Sequence, residues 1–335
     1  MNFKAFKILA VIIMLTILIS TVPKTHANSL TLTVATDKSE YSMYEPIFVN
    51  GTLSSDGAPI NDGLVTIQVN LPNGSLWLLR TCLTGTNVSQ RWSMEITQIV
   101  PCDSGGNPKY SFQRGTYLGF KVTIKNNDLT SHAAKLFINT FYGSDVPFGI
   151  EIMWEGTVEG EQEITVTAWP VIYIPYSAEL GTATAYALLV TGLPEEDGFA
   201  YCPESSTEFE ITPAGTSSLE ESQSPIGLEE YVEGSYNLTF RSPEMYAALG
   251  NYTIYTICFY WPQLVKNSTT FELILRGDLN GDKKCDIRDI AIVAAAYGSF
   301  PGDPNWDPRA DVCPDGKIDI RDVALVAADY GKIAS

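Results

Sequence analysis

The sequence predicts a mainly β protein, with two β-sandwiches followed by a small α-helical unit. Between about residue 30 and residue 275, short runs of β-branched and aromatic residues alternate with turn residues about every 8–12 positions, as in antiparallel sandwiches. Helical periodicity appears only after residue 287. The length of 335 residues and the hydrophobic fraction of 45% are enough for two or three domains, each with its own core.

The first 27 residues predict a secretory signal peptide. Lys4 and Lys7 form a short positive region, the apolar run "ILAVIIMLTILIS" follows, and small residues lead to a cleavage site after Ala27. The run is shorter than the roughly 20 residues that span a bilayer, and an uncleaved anchor is the alternative. We therefore expect a secreted, extracellular protein. The net charge of -18 argues against nucleic acid as a partner.

The predicted strands fall into three sets. The first set, "SLTLTVATD", "EPIFVNGTL", "GLVTIQVNLPNG" and "LWLLRTCLTG", predicts four strands, and the third set, "GSYNLTFRSP", "GNYTIYTICFY" and "STTFELIL", predicts three. Together they supply the usual number of strands for one immunoglobulin-like (Ig-like) sandwich. The middle set, from "GFKVTIKNND" to "TEFEITP", predicts a second sandwich. The polar stretch 214–230 separates the last two sets.

These sets favour one split Ig-like domain with a second domain inserted into it. The stretch "DKSEYSMYEPIFVNGTLSSDGAPINDGLVTIQVNLPNG" resembles the start of macroglobulin-type or bacterial Ig-like domains, and "FKVTIKNND" with "GTATAYALLV" resembles adhesion-associated CARDB modules. We expect the signal peptide at 1–27, the halves of the split domain at 28–100 and 214–275, the CARDB-like insert at 101–213 and the helical unit at 276–335. Three tandem modules are the alternative.

Cysteines and glycosylation sequons agree with an exported chain. The cysteines number six, an even count that favours disulfides in an oxidising compartment. The nested arrangement predicts the pairs Cys82–Cys258 and Cys102–Cys202. Tandem modules would instead favour Cys82–Cys102 and Cys202–Cys258. The sequons start at Asn50, Asn73, Asn87, Asn237, Asn251 and Asn267.

The stretch "DLNGDKKCDIRD" at 278–289 has the ligand spacing of an EF-hand-type calcium loop. Such a loop presents oxygen ligands from positions 1, 3, 5, 7, 9 and 12 to a hard cation. Those positions hold Asp278, Asn280, Asp282, Lys284, Asp286 and Asp289. Lys284 is acceptable because position 7 needs only its backbone carbonyl.

A second copy of the loop follows 33 residues later, at 311–322. Its corresponding residues are Asp311, Cys313, Asp315, Lys317, Asp319 and Asp322. Each loop leads into an alanine-rich helical pattern that ends in tyrosine and glycine, at Gly298 and Gly331. A strand precedes the first loop and prolines precede the second, so that each unit has a helix only after its loop.

This duplicated half EF-hand, from Gly277 to about Lys332, resembles the type I dockerin domain. The resemblance implies two bound calcium ions and docking to a cohesin-like partner. It also implies contact through loop positions 10 and 11, which hold Ile287 with Arg288 and Ile320 with Arg321. The alternative is that the isoleucines pack between the halves and the arginines pair with nearby aspartates.

Two residues depart from the usual calcium loop. Lys283 occupies position 6, where glycine normally adopts a left-handed turn, at a cost of about 1 kcal/mol. Cys313 occupies position 3 and is a poor ligand for calcium. A Cys285–Cys313 disulfide would staple the two loops.

The sequence holds no recognisable catalytic constellation. His132 is the one histidine after the predicted cleavage site, and no paired base accompanies it. We therefore predict a non-catalytic surface or adhesion protein that is tethered by its dockerin-like unit. The alternative is a carbohydrate-active protein, sugar-binding or glycoside-hydrolysing, of a cellulosome-like assembly. Candidate sugar-stacking residues are Trp77, Trp92, Trp154, Trp169 and Trp261.

Overall fold

The computed structural model describes residues 29–85, 92–214 and 232–335. The predicted signal peptide, the sequon at Asn87 and nearly all of the polar stretch 214–230 lie outside the described residues. Within the described ranges strands dominate, and both α-helices lie in the C-terminal unit. The predicted fold class, mainly β sandwiches with a small helical unit, is therefore confirmed.

The strands and helices have the following bounds. The strands are β1 (Leu30–Leu32), β2 (Ala35–Thr36), β3 (Glu40–Ser42), β4 (Pro46–Ser55), β5 (Ala58–Pro59), β6 (Leu64–Asn70), β7 (Leu76–Leu83), β8 (Met94–Cys102), β9 (Ser111–Gln113), β10 (Tyr117–Asn126), β11 (His132–Tyr142), β12 (Pro147–Val158), β13 (Glu163–Tyr173), β14 (Gly181–Val190), β15 (Ser205–Thr212), β16 (Ser235–Arg241), β17 (Gly250–Tyr260) and β18 (Gln263–Ile274). The α-helices are α1 (Ile287–Ala296) and α2 (Ile320–Asp329).

The first sandwich combines strands from both sides of the second in the chain. One sheet has the order β1-β4-β16, with β2 and β5 also paired to β4, and the other has the order β3-β18-β17-β6-β7. Buried and exposed residues alternate along β4, so that one face of the strand points to the core. Between the sheets the fully buried rings of Tyr252 and Phe271 stack with centroids 4.9 Å apart.

The second sandwich is built from the middle part of the chain. Its sheets have the orders β13-β10-β8 and β12-β11-β14-β15-β9. The core includes Phe112 and Phe209, whose rings meet edge to face at 5.9 Å. Strand β8 pairs with β10 over almost its whole length, so this sandwich already includes Met94 and begins before the predicted boundary at residue 100.

Long-range strand pairs support the nested division of the chain, which stays a proposal. β4 pairs antiparallel with β16, and β6 pairs antiparallel with β17. Both pairs join the first strand set of the sequence to the third, and the strands of the second sandwich lie between them in the chain. Tandem modules would instead pair each set within itself.

The two sandwiches contact each other through an apolar patch and a buried ion pair. Every residue of β6 is buried, because one face points to its own core and the other lies against the second sandwich. At the same interface Arg80 Nη2 lies 2.6 Å from Glu204 Oε1, with both side chains about one-seventh exposed or less. Glu204 also accepts a hydrogen bond from the Thr81 amide at 2.8 Å, and the Arg80 guanidinium lies over the Tyr186 ring. A buried charge is tolerated when it is paired and hydrogen-bonded in this way.

No disulfide joins the cysteines, all of which are among the described residues, so neither the nested nor the tandem pairs are formed. Cys82 and Cys258 are both register partners of Val65, on opposite sides of β6. The Cα atoms of Cys82 and Cys258 are therefore two strand spacings apart, about 10 Å, which is more than a disulfide can bridge. Burial raises the pKa of the Cys258 thiol to about 12, which keeps it protonated.

Cys102 and Cys202 lie at different levels of the second sandwich. Cys102 ends β8, whereas Cys202 lies beside Ile96, near the start of the same strand. At about 3.3 Å per residue the two positions along β8 are roughly 20 Å apart. Cys285 and Cys313 are likewise not joined: the Cys285 thiol donates to the Val326 carbonyl at 3.3 Å.

The sequons that the structure describes all have exposed asparagines. Asn50 on β4 and Asn237 on β16 are direct register partners, so glycans at both positions would stand side by side. Asn267 donates from its amide to the Leu32 carbonyl at 3.0 Å. Glycosylation at these asparagines stays a prediction.

The C-terminal helical unit packs on the first sandwich through a polar contact. Lys332 Nζ donates to the Met43 carbonyl at 3.1 Å and lies 2.8 Å from Asp329 Oδ1. The other oxygen of this buried carboxylate accepts the Gly277 amide at 2.9 Å. Lys332 and Asp329 thereby connect the end of α2, the start of the helical unit and the β3–β4 turn of the sandwich.

Replacing Lys332 by methionine should loosen this contact. The variant keeps the length of the side chain but leaves the Asp329 carboxylate buried without its cation, at a cost of about 1–3 kcal/mol in the free energy of unfolding. Scanning calorimetry of the full chain without calcium checks this expectation. Lys284→Met, at an exposed lysine of the same unit, is the control. Equal unfolding temperatures for the two variants would contradict the proposed contact.

Candidate metal centre

Two loops, 278–289 and 311–322, each lead directly into one of the α-helices. The repeated "DIRD" forms a capping box at both helix starts. In the first, the Asp286 side chain accepts the Arg288 amide at 2.8 Å, and Asp289 accepts the Asp286 amide at 2.8 Å. These bonds satisfy backbone donors that a helix start would otherwise leave free, which fixes where loop ends and helix begins.

The end of each helix is hydrogen-bonded to the opposite loop. Gly298, just after α1, donates to the Ile318 carbonyl at 2.7 Å. Gly331, just after α2, donates to the Cys285 carbonyl at 2.8 Å. Both glycines have positive φ, at 82° and 88°, as their place after a helix C-terminus predicts. The two halves therefore form one unit with approximate two-fold symmetry.

In the first loop the ligand-position side chains turn inward to backbone amides. Asp278 accepts the amides of Gly281 and Lys283, both at 2.7 Å. Asn280 Oδ1 accepts the Asp282 amide at 2.9 Å. The loop is thus wound tightly around the side chains at positions 1 and 3.

The second loop repeats much of this geometry. Asp311 accepts the amides of Asp315 at 3.3 Å and Gly316 at 3.1 Å, and Asp315 accepts the Lys317 amide at 3.1 Å. Cys313 at position 3 contributes its backbone amide, which donates to Asp322 at 2.8 Å. Its thiol takes the place that Asn280 fills in the first loop, so this loop presents one side-chain oxygen fewer.

The aspartates at position 12 are the most buried charges of the two loops. Asp289 is 0% exposed and Asp322 is 1% exposed. Asp289 accepts the amides of Leu279, Asn280 and Asp286, and Asp322 accepts those of Cys313 and Asp319. Neither carboxylate forms an ion pair with a basic side chain of the described residues. A buried carboxylate without a counter-charge is costly, and a cation in the loop would supply that charge.

An arginine at position 11 pairs with the carboxylates at positions 5 and 9 in each half. Arg288 lies 2.7 Å from both Asp282 and Asp286. Arg321 lies 2.5 Å from Asp315 and 3.1 Å from Asp319. The hydrogen bond from Arg321 lowers the pKa of Asp319 to about 2, so this carboxylate stays ionised in neutral and mildly acidic solution.

Position 6 differs between the loops, as the sequence predicts. Gly316 has φ 76°, and Lys283 adopts the same left-handed region with φ 64°. A non-glycine residue in this region costs about 1–2 kcal/mol. The exposed Lys283 side chain donates to the Ser335 carbonyl at 3.0 Å, which ties the first loop to the C-terminus.

The donor sets fit a hard divalent cation. Each loop concentrates carboxylate oxygens at positions 1, 5, 9 and 12, and position 7 offers the backbone carbonyl of Lys284 or Lys317. Among the residues of the three described ranges, no three acidic, histidine or cysteine side chains converge closely enough to form a metal cluster. The hydrogen bonds and ion pairs explain this spacing, because loop amides and the arginines hold the carboxylates apart.

The predicted docking residues are exposed in both halves. Ile287 and Ile320 are each 65% exposed, so they do not pack between the halves as the alternative supposed. The alternative also supposed that the arginines pair with nearby aspartates, and both of them do. Exposed alanines continue each surface along its helix, at 291, 294 and 295 on α1 and at 324, 327 and 328 on α2.

Sequence reasoning missed Asp329 and Lys332, which attach the unit to the sandwich. The repeat could have identified Asp329, because the residue 33 positions before it in the first copy is Ala296 and not an aspartate. The two halves share their loop pattern but differ there. Such a break in the repeat marks a residue that serves only one half.

His132 lies away from the loops, on β11. Its Nε2 is 2.8 Å from Asp128 Oδ2, and its ring lies against Tyr201 at 5.4 Å. In the described part of the chain, no helix is both long and apolar enough to span a membrane.

Several solved structures resemble parts of the chain. One is the CARDB domain of a Pyrococcus furiosus protein in complex with di-metal ions, at 11% identity and a TM-score of 0.23, covering 38% of this chain and 95% of that one. Another is trypsin-activated α-2-macroglobulin from Escherichia coli, at 11% identity and a TM-score of 0.22, covering 73% of this chain and 23% of that one. These similarities are too low to support any functional argument.

A third similar structure is the alkylpurine DNA glycosylase AlkC from Pseudomonas fluorescens, bound to DNA containing an abasic site analog. Its identity is 9% and its TM-score 0.27, and the match covers 37% of this chain and 31% of that one. The chain therefore spans less than a third of this enzyme and about a quarter of the macroglobulin. No curated protein matches the sequence.

A family model matches the C-terminal unit. The description of the family is dockerin type I domain, and the matched residues are 276–329. This range includes both loops, both helices and the linker between them. The match confirms the resemblance that the duplicated loops carry, and the C-terminal unit of this chain is a dockerin type I domain.

Proposed function

We propose that this chain is a secreted, non-catalytic modular protein whose dockerin binds two calcium ions and docks onto a cohesin-like partner. The observation that carries the proposal is the pair of buried aspartates, Asp289 and Asp322, which the described residues leave without a basic partner. They occupy position 12 of two loops that match the dockerin family. The sandwiches act as the rigid body that presents this unit.

Calcium at these loops would supply positive charge and would have a structural role, not a catalytic one. Asp278, Asn280, Asp282 and Asp289 would hold the first ion together with the Lys284 carbonyl and, directly or through water, Asp286. The second loop offers the same set except for the side chain of Cys313. Binding should stabilise the loops and, through the capping boxes, the starts of both helices.

The docking faces of the two halves differ in their surroundings. The face on α1 starts at Ile287 and Arg288, and the face on α2 starts at Ile320 and Arg321. On α2, Leu325 and Ala328 line a cleft whose opposite wall is formed by residues 42–45, Glu244 and Arg276. Beside the equivalent part of α1 the neighbour is the linker instead of the sandwich: Asn305 Nδ2 lies 3.5 Å from the Ala295 carbonyl. We therefore assign partner docking mainly to the α1 face.

A surface role agrees with the distribution of acceptor asparagines. The sequons at Asn50, Asn73, Asn237, Asn251 and Asn267 are exposed on the first sandwich, outside both loops. The partner would place the protein at a cell surface or in a polysaccharide-degrading assembly. Polysaccharide is the second partner class, and a separate surface of the chain favours it.

Replacing a position-12 aspartate should remove one calcium ion. Asp289→Asn and Asp322→Asn each keep the shape and an acceptor oxygen but remove the buried charge that the cation balances. We expect each variant to bind one ion instead of two, and the double variant to bind none, in calorimetric titration of the full chain. Asp303→Asn, at an exposed aspartate of the linker, is the control. Two ions bound to the double variant would contradict the site.

Removing the position-11 arginines should tighten calcium binding. Arg288→Gln frees Asp282 and Asp286 from a cation that competes with the metal, so we expect an affinity gain of about two- to fivefold at the first loop. Arg309→Gln is a matched control, because Arg309 makes the same kind of ion pair with Asp307, outside both loops. Unchanged or weaker affinity for Arg288→Gln would show that the pair supports the loop instead.

The α1 face should dominate docking. We expect Ile287→Ala with Arg288→Ala to weaken calcium-dependent capture by a recombinant type I cohesin at least tenfold. The matched pair Ile320→Ala with Arg321→Ala should change it about twofold or less. Both isoleucines are equally exposed, so neither pair should affect folding. Equal effects of the two pairs would show that both faces dock, and no capture of the parent chain would contradict cohesin binding.

A further inference from the structure

Three aromatic side chains are exposed on the outer face of the sheet β13-β10-β8, and a fourth is exposed in the turn that follows β13. Tyr117 is 47% exposed, Trp169 39%, Tyr173 40% and Tyr176 71%. We call this group the aromatic platform. Large aromatic rings are usually buried, and several exposed rings in one region mark a candidate binding surface.

Two glycines of the same chain segment make room for the rings. A Cβ at Gly119 would stand 3.0 Å from the Trp169 ring, and one at Gly115 would collide with the Tyr176 ring. Tyr117 lies between these glycines in sequence, and its ring centroid is 5.0 Å from that of Tyr173. Along β10, the Tyr117–Tyr173 pair and the Trp169 ring over Gly119 are therefore two residues apart, roughly 7 Å, and Tyr176 lies over Gly115 in the turn that precedes the strand.

A polar rim borders the tryptophan end of the platform. The turn 103–107 folds over the sheet there, and a Cβ at Gly106 would stand 3.3 Å from Thr167 on β13. The Asp103 carboxylate holds the turn by accepting the amides of Gly105 at 2.9 Å and Asn107 at 3.0 Å. Lys121, the register partner of Thr167, adds an ammonium group to the same rim.

The charge of the chain decides between ligands that stack on aromatic rings. Single-stranded nucleic acid stacks well but needs a positive groove, whereas this chain carries a net charge of -18. Proline-rich peptides dock into aromatic-lined grooves, whereas these rings lie on the open face of a sheet. A sugar ring has an apolar C–H face that packs on an aromatic ring and hydroxyl groups that need polar partners. The rings and the polar rim meet both needs.

We propose that the aromatic platform binds a neutral polysaccharide chain. The rings of Tyr117, Trp169, Tyr173 and Tyr176 stack on successive sugar units, and the rim at Lys121 and Asn107 hydrogen-bonds to their hydroxyl groups. The platform belongs to the second sandwich, whereas the dockerin packs on the first. Its binding is therefore independent of calcium.

Native affinity electrophoresis of the full secreted chain tests this assignment. Gels contain hydroxyethylcellulose, xylan or galactomannan as neutral probes, or polygalacturonate as an anionic one. We expect at least one neutral polymer to retard the chain. Trp169→Ala and Tyr176→Ala should each raise the apparent dissociation constant about five- to tenfold. Because Tyr176 is mostly exposed, its variant should keep the fold even if Trp169→Ala disturbs it.

Trp261→Ala is the matched control, since Trp261 is 82% exposed but lies on the first sandwich, in the turn between β17 and β18. It should be retarded like the parent chain, and EDTA should leave the retardation unchanged. Three results would overturn the proposal: no retardation by any neutral polymer, retardation by polygalacturonate alone, or an equal loss in the Trp261 variant. The calcium titration and the cohesin capture remain independent of all three.

Discussion

The fold depends on the pairing of β6 with β17, which closes the sheet next to the second sandwich. Residues Val65 to Asn70 pair with residues on the far side of the second sandwich in the chain. Because all of β6 is buried, this pairing fixes the core of the first sandwich and the interface with the second at the same time. Closing a contact of such long sequence separation costs chain entropy, and we expect it to form after the local pairs. The second sandwich has a shorter long-range pair, β9 with β15, which joins Ser111 to Glu210.

The position of the dockerin is set by this sheet. Strand β18 pairs with β17 along almost its whole length and ends at Ile274, only a few residues before the first loop. Lys332 then returns to the sandwich at Met43. The unit is held at both its first and its last residues. The two-fold symmetry of its halves is therefore broken by what surrounds them.

Local sequence patterns predicted most of the secondary structure and the two loops. The separations between the cysteines depend instead on strand register. The repeated "DIRD" and the 33-residue spacing between the two copies located both loops and both helices. Helix capping and ligand spacing depend only on residues that are close in sequence. The disulfides were not predictable in this way. Cys82 and Cys258 lie in neighbouring regions, but their separation depends on Val65 standing between them. Strand β8 was missed because its alternation of apolar and polar residues breaks at Thr97 and Gln98, both exposed, where its pairing with β10 shifts register.

The arginine of each half lies between the proposed metal site and the proposed docking face. Arg288 is exposed at the start of the α1 face, and its guanidinium lies on Asp282, a residue at a ligand position. If calcium binds as we propose and draws that carboxylate inward, the ion pair with Arg288 should weaken and the guanidinium would become available to a partner. Docking would then require calcium for a reason beyond loop order, since one ion both fixes the helix start and releases the charged side chain beside it. Arg321 and Asp315 are arranged in the same way in the second half, although there a partner would also have to fit beside the sandwich.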